Sequence, residues 1–579
     1  MTLPDASRVL LPYLVELYGP QQARATLKQL SPLLDAYRGR LETGERRPAG
    51  SLTHRDALLI TYPDQVTQAG QAPLATLAEF AEEHLAERIS AVHLLPFYPS
   101  SSDDGFAVID YREVDRELGG WEDVSRLAGR FRLMADGVIN HVSSRSPWLL
   151  EYLAGDPHYH DYFIDVPPDA DLSKVVRPRT TPLVTPFPSA AGEKHLWTTF
   201  SADQVDLDYH HPQVLLDVLD ALLLYVSRGA QLIRLDAIAY LWKEYGTSCI
   251  HLPQTHTVIR FLRAVFDLVA PSVLLVTETN VPHVENLSYF GSGHDEAQMI
   301  YNFALPPLVV HTFLTGMADK LTEWAAGLAL PSRQVTFLNF LASHDGIGVN
   351  PVKGILNQSE VDALVAVIRR RGGLVSSKSG PGGVESPYEL NISYFDAISD
   401  PQARERQSMQ VERFLASQAI MLALLGMPGI YFHSLLGSRS WMEGVQLSGR
   451  NRSINRQKFD RVRLEAELAN PDTLRAQVFE RYARLLAARQ SAPAFDPFGQ
   501  QTVLQMGSGV FGLLRGSPAS EQAVLCLTNV SDLPQTVELN MEGLGFAPRM
   551  WSDLIGGQTF VLGKHPNLLL QPYQVLWLA

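Results

Sequence analysis

Residues 230–240 read AQLIRLDAIAY, an apolar run that carries one arginine, Arg234, and reaches one aspartate, Asp236. Uninterrupted apolar residues are typical of a strand that helices cover on both faces. Side chains two residues apart share one face of a strand, so Arg234 lies on the side of Asp236 and favours its charged form. The stretch predicts a buried parallel strand that ends in a charged carboxylate.

Similar apolar runs alternate with helical segments on both sides of this stretch. They are ALLITY (57–62), AVHLLPF (91–97), RLMADGVIN (132–140), SVLLVTETN (272–280), VTFLNFLASHD (335–345) and MPGIYF (427–432). This alternation predicts an α/β fold, a (β/α)8 TIM barrel. Two long interruptions, at about 142–210 and 347–395, follow barrel strands. Since a TIM barrel builds its active site at the C-terminal ends of its strands, we interpret them as functional loops or small inserted domains.

The two ends of the chain follow other patterns. Leucines and tyrosines three and four apart between residues 5 and 45 predict two amphipathic helices. After about residue 495, short alternating runs such as TVLQMGSG and AVLCLTNV predict a C-terminal β-sandwich. We therefore predict an N-terminal helical extension (1–55), a catalytic barrel (56–494) and a β-sandwich (495–579).

Composition excludes several classes of function. The chain has 579 residues and a formal net charge of -14, which opposes binding to nucleic acid or to anionic membranes. No secretory signal or membrane-length apolar run is present in the sequence, so we expect a cytoplasmic protein. Cys249 and Cys526, the two cysteines, are expected to be free and buried. No metal-ligand spacing is found, and we expect neither a metal nor an organic cofactor.

Three carboxylates follow predicted strands, namely Asp236, Glu278 and Asp345. The barrel would bring them to one rim from distant parts of the chain. A single carboxylate at such a position is as often a cap of the next helix. Three of them, with His141 and His344 at strand ends as donors for sugar hydroxyls, favour a catalytic site.

The motifs around these residues identify a family. ADGVINH (135–141), IRLDAIAY (233–240), VTETN (276–280) and LASHDGIG (341–348) resemble, in order, four regions of the α-amylase superfamily, glycoside hydrolase family 13. SSDDGFAVIDYREVD (101–115), RPR (177–179), GTSC (246–249), NFALPPL (302–308) and SINR (453–456) resemble its sucrose phosphorylase subfamily. The resemblance implies a retaining enzyme that acts on α-glucosides, with no metal ion or cofactor.

The resemblance also implies a role for each matching residue. Asp236 corresponds to the nucleophile, Glu278 to the general acid/base and Asp345 to the transition-state stabiliser. Retention requires the first two carboxyl groups to lie about 5–5.5 Å apart, with the acid protonated before reaction. The residues implied to hold the glucosyl unit are Asp104, Phe106, His141, Arg234, His344 and Arg452, with Arg450 as a rival of Arg452.

The resemblance implies phosphorolysis and not hydrolysis, on the residues of the outer subsite, where phosphate or the acceptor would bind. Arg179 corresponds to a phosphate-contacting arginine. Tyr388 and Glu389 occupy the acceptor loop, and at these two positions the sucrose phosphorylases have Tyr followed by Gln. Glu389 and the N-terminal extension are more similar to the glucosylglycerate phosphorylases of the subfamily, whose acceptor, D-glycerate, is an anion. Arg179 and Lys378 are candidates to hold its carboxylate. Glu389 would oppose that carboxylate unless it pairs with a cation or bonds a hydroxyl. Gly380–Gly383 is expected to be mobile.

Three alternatives stay open. The chain is also compatible with a sucrose or sucrose 6'-phosphate phosphorylase and with an α-glucosidase. A non-catalytic, amylase-like carbohydrate-binding subunit would have lost a catalytic carboxylate, and none is lost here. The expected partners are small molecules: an α-glucoside, inorganic phosphate, α-glucose 1-phosphate and the acceptor. The sequence leaves the oligomeric state open.

Overall fold

A computed structural model describes residues 3–43, 52–379 and 385–579 of the chain. Gly380–Gly383, the expected mobile loop, lies outside the described residues. None of the helices within these ranges is both long and apolar enough to span a bilayer.

Twenty-five strands are described. In chain order they are β1 (Leu58–Thr61), β2 (Val66–Thr67), β3 (Ala91–Leu94), β4 (Arg132–Val138), β5 (His141–Ser143), β6 (Val184–Ser189), β7 (Gly192–Trp197), β8 (Gln204–Asp206), β9 (Ala230–Asp236), β10 (Leu274–Thr277), β11 (Met299–Tyr301), β12 (Thr336–Phe340), β13 (Ile347–Gly348), β14 (Leu374–Ser379), β15 (Glu385–Asn391), β16 (Met427–Tyr431), β17 (Phe459–Asp460), β18 (Gln500–Leu504), β19 (Val510–Gly516), β20 (Ala523–Asn529), β21 (Gln535–Glu538), β22 (Arg549–Ser552), β23 (Thr559–Leu562), β24 (Asn567–Leu570) and β25 (Val575–Leu578).

The α-helices of the described residues number sixteen. In chain order they are α1 (Leu3–Thr43), α2 (Pro73–His84), α3 (Trp121–Arg130), α4 (Pro147–Ala154), α5 (Pro212–Ser227), α6 (Pro253–Val269), α7 (His283–Leu287), α8 (Leu305–Thr315), α9 (Asp319–Ala326), α10 (Gln358–Arg370), α11 (Tyr394–Ile398), α12 (Gln407–Ala423), α13 (Phe432–Leu435), α14 (Met442–Ser448), α15 (Arg461–Ala469) and α16 (Leu474–Gln490).

Eight parallel strands close into a barrel in the order β1-β16-β12-β11-β10-β9-β4-β3. Their residues are almost all buried, because side chains fill the barrel and helices cover its outside. Seven of the eight strands match the predicted apolar runs. The remaining strand, β11, is only three residues long and is not predicted by the sequence. The closed barrel confirms the predicted fold class. The parallel direction places the C-terminal ends of all eight strands at one rim.

Two insertions follow the barrel strands β4 and β12. After β4, strand β5 pairs with β8 and β6 with β7, and α4 packs beside them. After β12, strands β13, β15 and β14 form an antiparallel sheet. The hairpin of β14 and β15, called the acceptor hairpin below, carries Tyr388 and Glu389. Both insertions leave from the rim to which the three predicted carboxylates belong.

The N-terminal helix α1 is interrupted at Gly19, whose φ of 76° and ψ of 165° are not helical, so it consists of two segments as the leucine spacing predicts. It packs against α5 and α6, the helices on either side of β9. The Tyr37 hydroxyl donates to the Asp220 carboxylate at 2.8 Å, and the Thr257 hydroxyl donates to Glu16 at 2.6 Å. The extension therefore supports the part of the barrel that carries Asp236.

The C-terminal strands form antiparallel sheets, the largest in the order β18-β19-β20-β25. Arg515 of β19 is fully buried and donates to the backbone carbonyls of Gln500, Ala423 and Asp496. Ala423 belongs to helix α12, so this one guanidinium joins the sheet to the barrel. Cys249 and Cys526 are both free and buried, as expected.

Candidate active site

Three carboxylates meet in one pocket at the rim of the barrel. Asp236 is the last residue of β9, Glu278 directly follows β10, and Asp345 lies five residues after β12. All three line the same pocket. Strand ends that are up to about a hundred residues apart in sequence are brought together because neighbouring barrel strands run in parallel.

Arg234 lies behind two of these carboxylates. Its guanidinium is buried, and one nitrogen, Nη1, contacts both the Asp136 carboxylate and, at 3.0 Å, Oδ1 of Asp236. The other, Nη2, is 3.8 Å from Oε2 of Glu278. Asp136 also contacts His93 at 2.8 Å. Burial alone would raise the pKa of Asp136, but Arg234 and His93 lower it to about 2.

Asp236 and Glu278 form a pair of buried carboxyl groups with raised pKa values. Burial raises the pKa of both carboxyl groups, and their mutual repulsion adds to the effect at Asp236. Arg234 opposes this at both, and it lies closer to Asp236. When the pair holds one proton, the arginine therefore favours its location on Glu278. This is the protonation state from which a retaining mechanism starts.

Ala237, directly after Asp236, has a left-handed backbone with φ of 54°. This conformation costs about 1–2 kcal/mol for a residue with a Cβ. It directs the backbone N–H of Ala237 to Oε2 of Glu278 at 3.3 Å. The strained backbone of Ala237 thus provides the hydrogen bond that holds the carboxyl group of Glu278 beside Asp236.

Asp345 is paired with Arg452. Nη1 of Arg452 lies 2.6 Å from Oδ1 of Asp345, and the other edge of the guanidinium binds both oxygens of Glu389. Burial alone would raise the pKa of Asp345, but Arg452 and His344 lower it well below its usual range. Asp345 is therefore charged.

Two rings form the inner wall of the pocket. The rings of Phe106 and His344 are stacked, with centroids 4.8 Å apart and planes at 6°. Nε2 of His141 lies 3.0 Å from the carbonyl oxygen of Phe106. Burial lowers the pKa of both histidines, so they are neutral and can exchange hydrogen bonds with hydroxyls.

The outer end of the pocket carries positive charge. Arg179 lies over the rings of Phe200 and Tyr388, 5.7 and 5.5 Å from their centroids. The hydrogen bond that its side chain makes is to the carbonyl of Pro178 at 3.2 Å, and no carboxylate of the described residues pairs with it. The guanidinium is thus oriented by two rings and free to bind an anion. Nζ of Lys378, on the acceptor hairpin, is 6.0 Å from the centroid of the Tyr388 ring.

Comparison with known proteins places this pocket in a family. The profile described as "Alpha amylase, catalytic domain" matches residues 87–345. A glucosylglycerate phosphorylase of Spirochaeta thermophila is 51% identical over 99% of this chain and 98% of its own. That of Escherichia coli is 44% identical over 98% and 99%.

The chain belongs to the α-amylase superfamily of glycoside hydrolases.

Among solved structures of the superfamily, the fold is similar to that of the sucrose 6F-phosphate phosphorylase from Thermoanaerobacter thermosaccharolyticum. The TM-score is 0.74 at 23% identity, over 89% of this chain and all of that one. At this identity the likeness describes the fold alone. The two glucosylglycerate phosphorylases align with this chain almost from end to end.

Most of the residues that the superfamily motifs predict lie around the pocket. Those that line it are Asp236, Glu278, Asp345, Phe106, His141, His344, Arg452, Arg179, Tyr388 and Glu389. Arg234 supports them from behind and does not line the pocket. Arg450, the rival of Arg452, is exposed, whereas Arg452 contacts Asp345.

Asp104 is bound to an arginine and is not among the residues that line the pocket. Its carboxylate binds Arg456 and is 42% exposed, and the neighbouring Asp103 lines the pocket instead. Both residues have positive φ, 54° for Asp103 and 48° for Asp104, in a tight turn before Phe106. Successive side chains in such a turn point in different directions. A motif that contains two adjacent aspartates does not show which of them faces the pocket. Asp103 is a further candidate for the glucosyl subsite, and the role of Asp104 there stays a prediction.

The structure adds pocket residues that the sequence reasoning missed. They are Phe200, Gln204, Tyr240 and Asn280. Gln204 approaches both Asp103, at 3.4 Å, and His141, at 3.2 Å. Asn280 ends the VTETN motif, which was a signal for it, and its side-chain oxygen is buried without a partner. Phe200 and Gln204 lie in the insertion after β4, where spacing gives no signal.

A group with the geometry of metal ligands lies away from the pocket. Among the described residues, Glu83, His84 and Glu465 place their ligand atoms within 4.8 Å of one another. Arg461 contacts both glutamates, at 2.8 and 2.9 Å, so a cation is already present there. We interpret this group as a surface ion-pair network.

Proposed function

We propose that the chain is a glucosylglycerate phosphorylase. It converts 2-O-α-glucosyl-D-glycerate and phosphate into α-D-glucose 1-phosphate and D-glycerate, with retention at the anomeric carbon. The observation that carries the proposal is Arg179, which lies in the pocket of Asp236, Glu278 and Asp345 and has no carboxylate partner among the described residues. The names of the two relatives at 51% and 44% identity support the glycerate part.

In the first half-reaction, the Asp236 carboxylate attacks the anomeric carbon. Glu278 gives its proton to the leaving oxygen, and D-glycerate departs as the glucosyl-Asp236 ester forms. Asp345 and the neutral His344 interact with the sugar hydroxyls, and the charge of Asp345 stabilises the positive charge that develops on the ring. The proton on Glu278 and the charge on Asp236 are the states that Arg234 favours.

In the second half-reaction, phosphate takes the place of D-glycerate beside Arg179. An oxygen of phosphate attacks the anomeric carbon, Glu278 accepts the proton, and the ester bond to Asp236 breaks. The planar donors of a guanidinium suit an oxyanion, and they give phosphate an advantage over water. Phe200 and Tyr388 hold Arg179 in place and exclude water from its faces.

The acceptor, too, is an anion in this proposal. Arg179 serves its carboxylate in one half-reaction and phosphate in the other, and Lys378 adds positive charge behind Tyr388. Glu389 does not oppose the acceptor as a free charge would, because both of its oxygens bind Arg452. Tyr388 and Glu389 thus line the acceptor subsite without making it repulsive.

An acceptor panel tests the proposal. The enzyme is incubated with α-glucose 1-phosphate and one of D-glycerate, glycerol, fructose or fructose 6-phosphate, and the release of phosphate is measured. We expect release with D-glycerate. Release with fructose or fructose 6-phosphate only would indicate a sucrose-type phosphorylase, and glucose formation independent of any acceptor would indicate a hydrolase.

We also propose the domain division of the sequence analysis and a cytoplasmic location. The barrel strands run from Leu58 to Tyr431 and the C-terminal strands begin at Gln500, in agreement with boundaries near 55 and 495. A charged sugar phosphate does not cross a bilayer unaided, so a product that feeds metabolism is best formed in the cytoplasm.

A further inference from the structure

Arg452 joins two carboxylates that come from different parts of the chain. Its Nη1 is 2.6 Å from Asp345, while its Nε and Nη2 are 3.1 and 2.6 Å from the two oxygens of Glu389. The side chains of Glu389 and Asp345 are only 3% and 14% exposed. A buried charge that is bound at both oxygens contributes more than an exposed pair would.

Glu389 belongs to the acceptor hairpin, whereas Asp345 belongs to the glucosyl subsite. Strand β15 pairs with β14 and, at Glu389, with Gly348 of β13, which follows Asp345 by three residues. The backbone after Asp345 approaches Glu389 closely, since a Cβ added to Gly346 would lie 3.0 Å from that of Glu389. The hairpin and the Asp345 loop are thus in direct contact.

The geometry of a guanidinium explains what Glu389 does for Arg452. The group is planar, and its donors point in fixed directions. When Nε and Nη2 bind one carboxylate in a bidentate pair, the orientation of Nη1 is fixed as well. In this structure that orientation directs Nη1 to Asp345.

We propose that Glu389 is a positioning residue, which holds Arg452 against Asp345 and thereby couples the acceptor hairpin to the glucosyl subsite. The inference deepens the proposed function, on which it rests, because it concerns the same pocket. A displacement of the hairpin by phosphate or acceptor would move Glu389, then Arg452, and change how firmly Asp345 is held. Glu389 would then affect the formation of the glucosyl-enzyme even when no acceptor takes part.

α-Glucosyl fluoride separates this role from a direct contact with the acceptor. Fluoride leaves without D-glycerate and with little need for an acid, so kcat/KM for this donor reports glucosylation alone. We expect Glu389→Gln to lower it by about 10- to 150-fold, the range for losing a hydrogen bond to a charged group. The matched control is Glu385→Gln, an exposed glutamate on the same strand, which should leave kcat/KM unchanged.

A double-mutant cycle with Arg452→Met shows whether Glu389 acts through Arg452. In that background, Glu389→Gln should cause no further loss of kcat/KM for the fluoride. An unchanged kcat/KM in the single variant, with only the KM for D-glycerate altered, would overturn the proposal and make Glu389 an acceptor contact. Equal losses with and without Arg452 would overturn it too.

Two further measurements keep the result unambiguous. Thermal unfolding of each variant detects loss of the fold, and if Glu389→Gln does not fold, Glu389→Asp withdraws the charge from Arg452 and is expected to lower kcat/KM as well. The fluoride assay needs no D-glycerate, so it reads out the role of Glu389 even if the acceptor panel gives another acceptor. Failure of the glycerate assignment is therefore distinguishable from failure of this inference.

Discussion

The variant Arg179→Ala tests most directly the proposal that Arg179 binds phosphate. The guanidinium has no carboxylate partner among the described residues and lies over two rings, so its removal leaves no orphaned charge. The loss is then that of a charge-assisted hydrogen bond, about 1.5–3 kcal/mol. At 1.36 kcal/mol per factor of ten, this corresponds to a fall of about 10- to 150-fold in kcat/KM for phosphate.

The assay for Arg179→Ala compares two fates of one glucosyl-enzyme. Glucose 1-phosphate and free glucose are measured from the same donor, with and without phosphate. We expect glucose 1-phosphate formation to fall as calculated while hydrolysis stays within a few-fold. The control is Arg177→Ala, which removes an arginine of the same RPR motif that does not line the pocket. Parallel losses of phosphorolysis and hydrolysis would refute the role of Arg179.

Three other predictions concern Asp236, Glu278 and Arg515. Asp236→Ala should lower turnover by about 10⁴-fold or more, because no covalent intermediate can form, and turnover equal to that of the wild type would refute the assignment. Burial raises the pKa of Glu278, so the protonated acid persists to higher pH and phosphorolysis should fall as pH rises through that pKa. Glu278→Gln should abolish this alkaline limb while retaining glucosylation by α-glucosyl fluoride, and a pH profile that keeps the limb would count against the acid. Arg515→Met removes the charged donor that three backbone carbonyls share and should lower the free energy of unfolding by about 3 kcal/mol or more, measured in urea; a change below about 1 kcal/mol would contradict this.

The sequence was sufficient for what depends on strand periodicity and barrel topology. Apolar runs that end in Asp236 and Glu278 predict both the strands and the meeting of the two carboxylates, because parallel strands of a closed barrel share one rim. The strand β11 is not predicted, because three residues are too few to show a periodicity. The arginine beside Asp236 was also predictable, since a separation of two residues fixes a common face of the strand.

What the sequence could not provide depends on contacts between distant segments. Glu389 and Arg452 are 63 residues apart, and neither residue type signals the other. That Asp103 lines the pocket while Asp104 binds Arg456 follows from two successive positive φ angles, which aspartates adopt only in particular turns. The unfavourable charge expected for Glu389 near an anionic acceptor is resolved by such a contact and not by any local feature.

The burial of Arg515 has a consequence for protein engineering. Its three carbonyl acceptors come from the sheet, the connecting segment and helix α12, so the C-terminal sheets and the barrel share one hydrogen-bond network. A chimera that exchanges the C-terminal region for that of another enzyme would remove Arg515 and leave the carbonyl of Ala423, at the end of α12, without this donor. Recombination points therefore belong upstream of α12 or within surface loops, and the C-terminal region is not a cassette that can be grafted by itself.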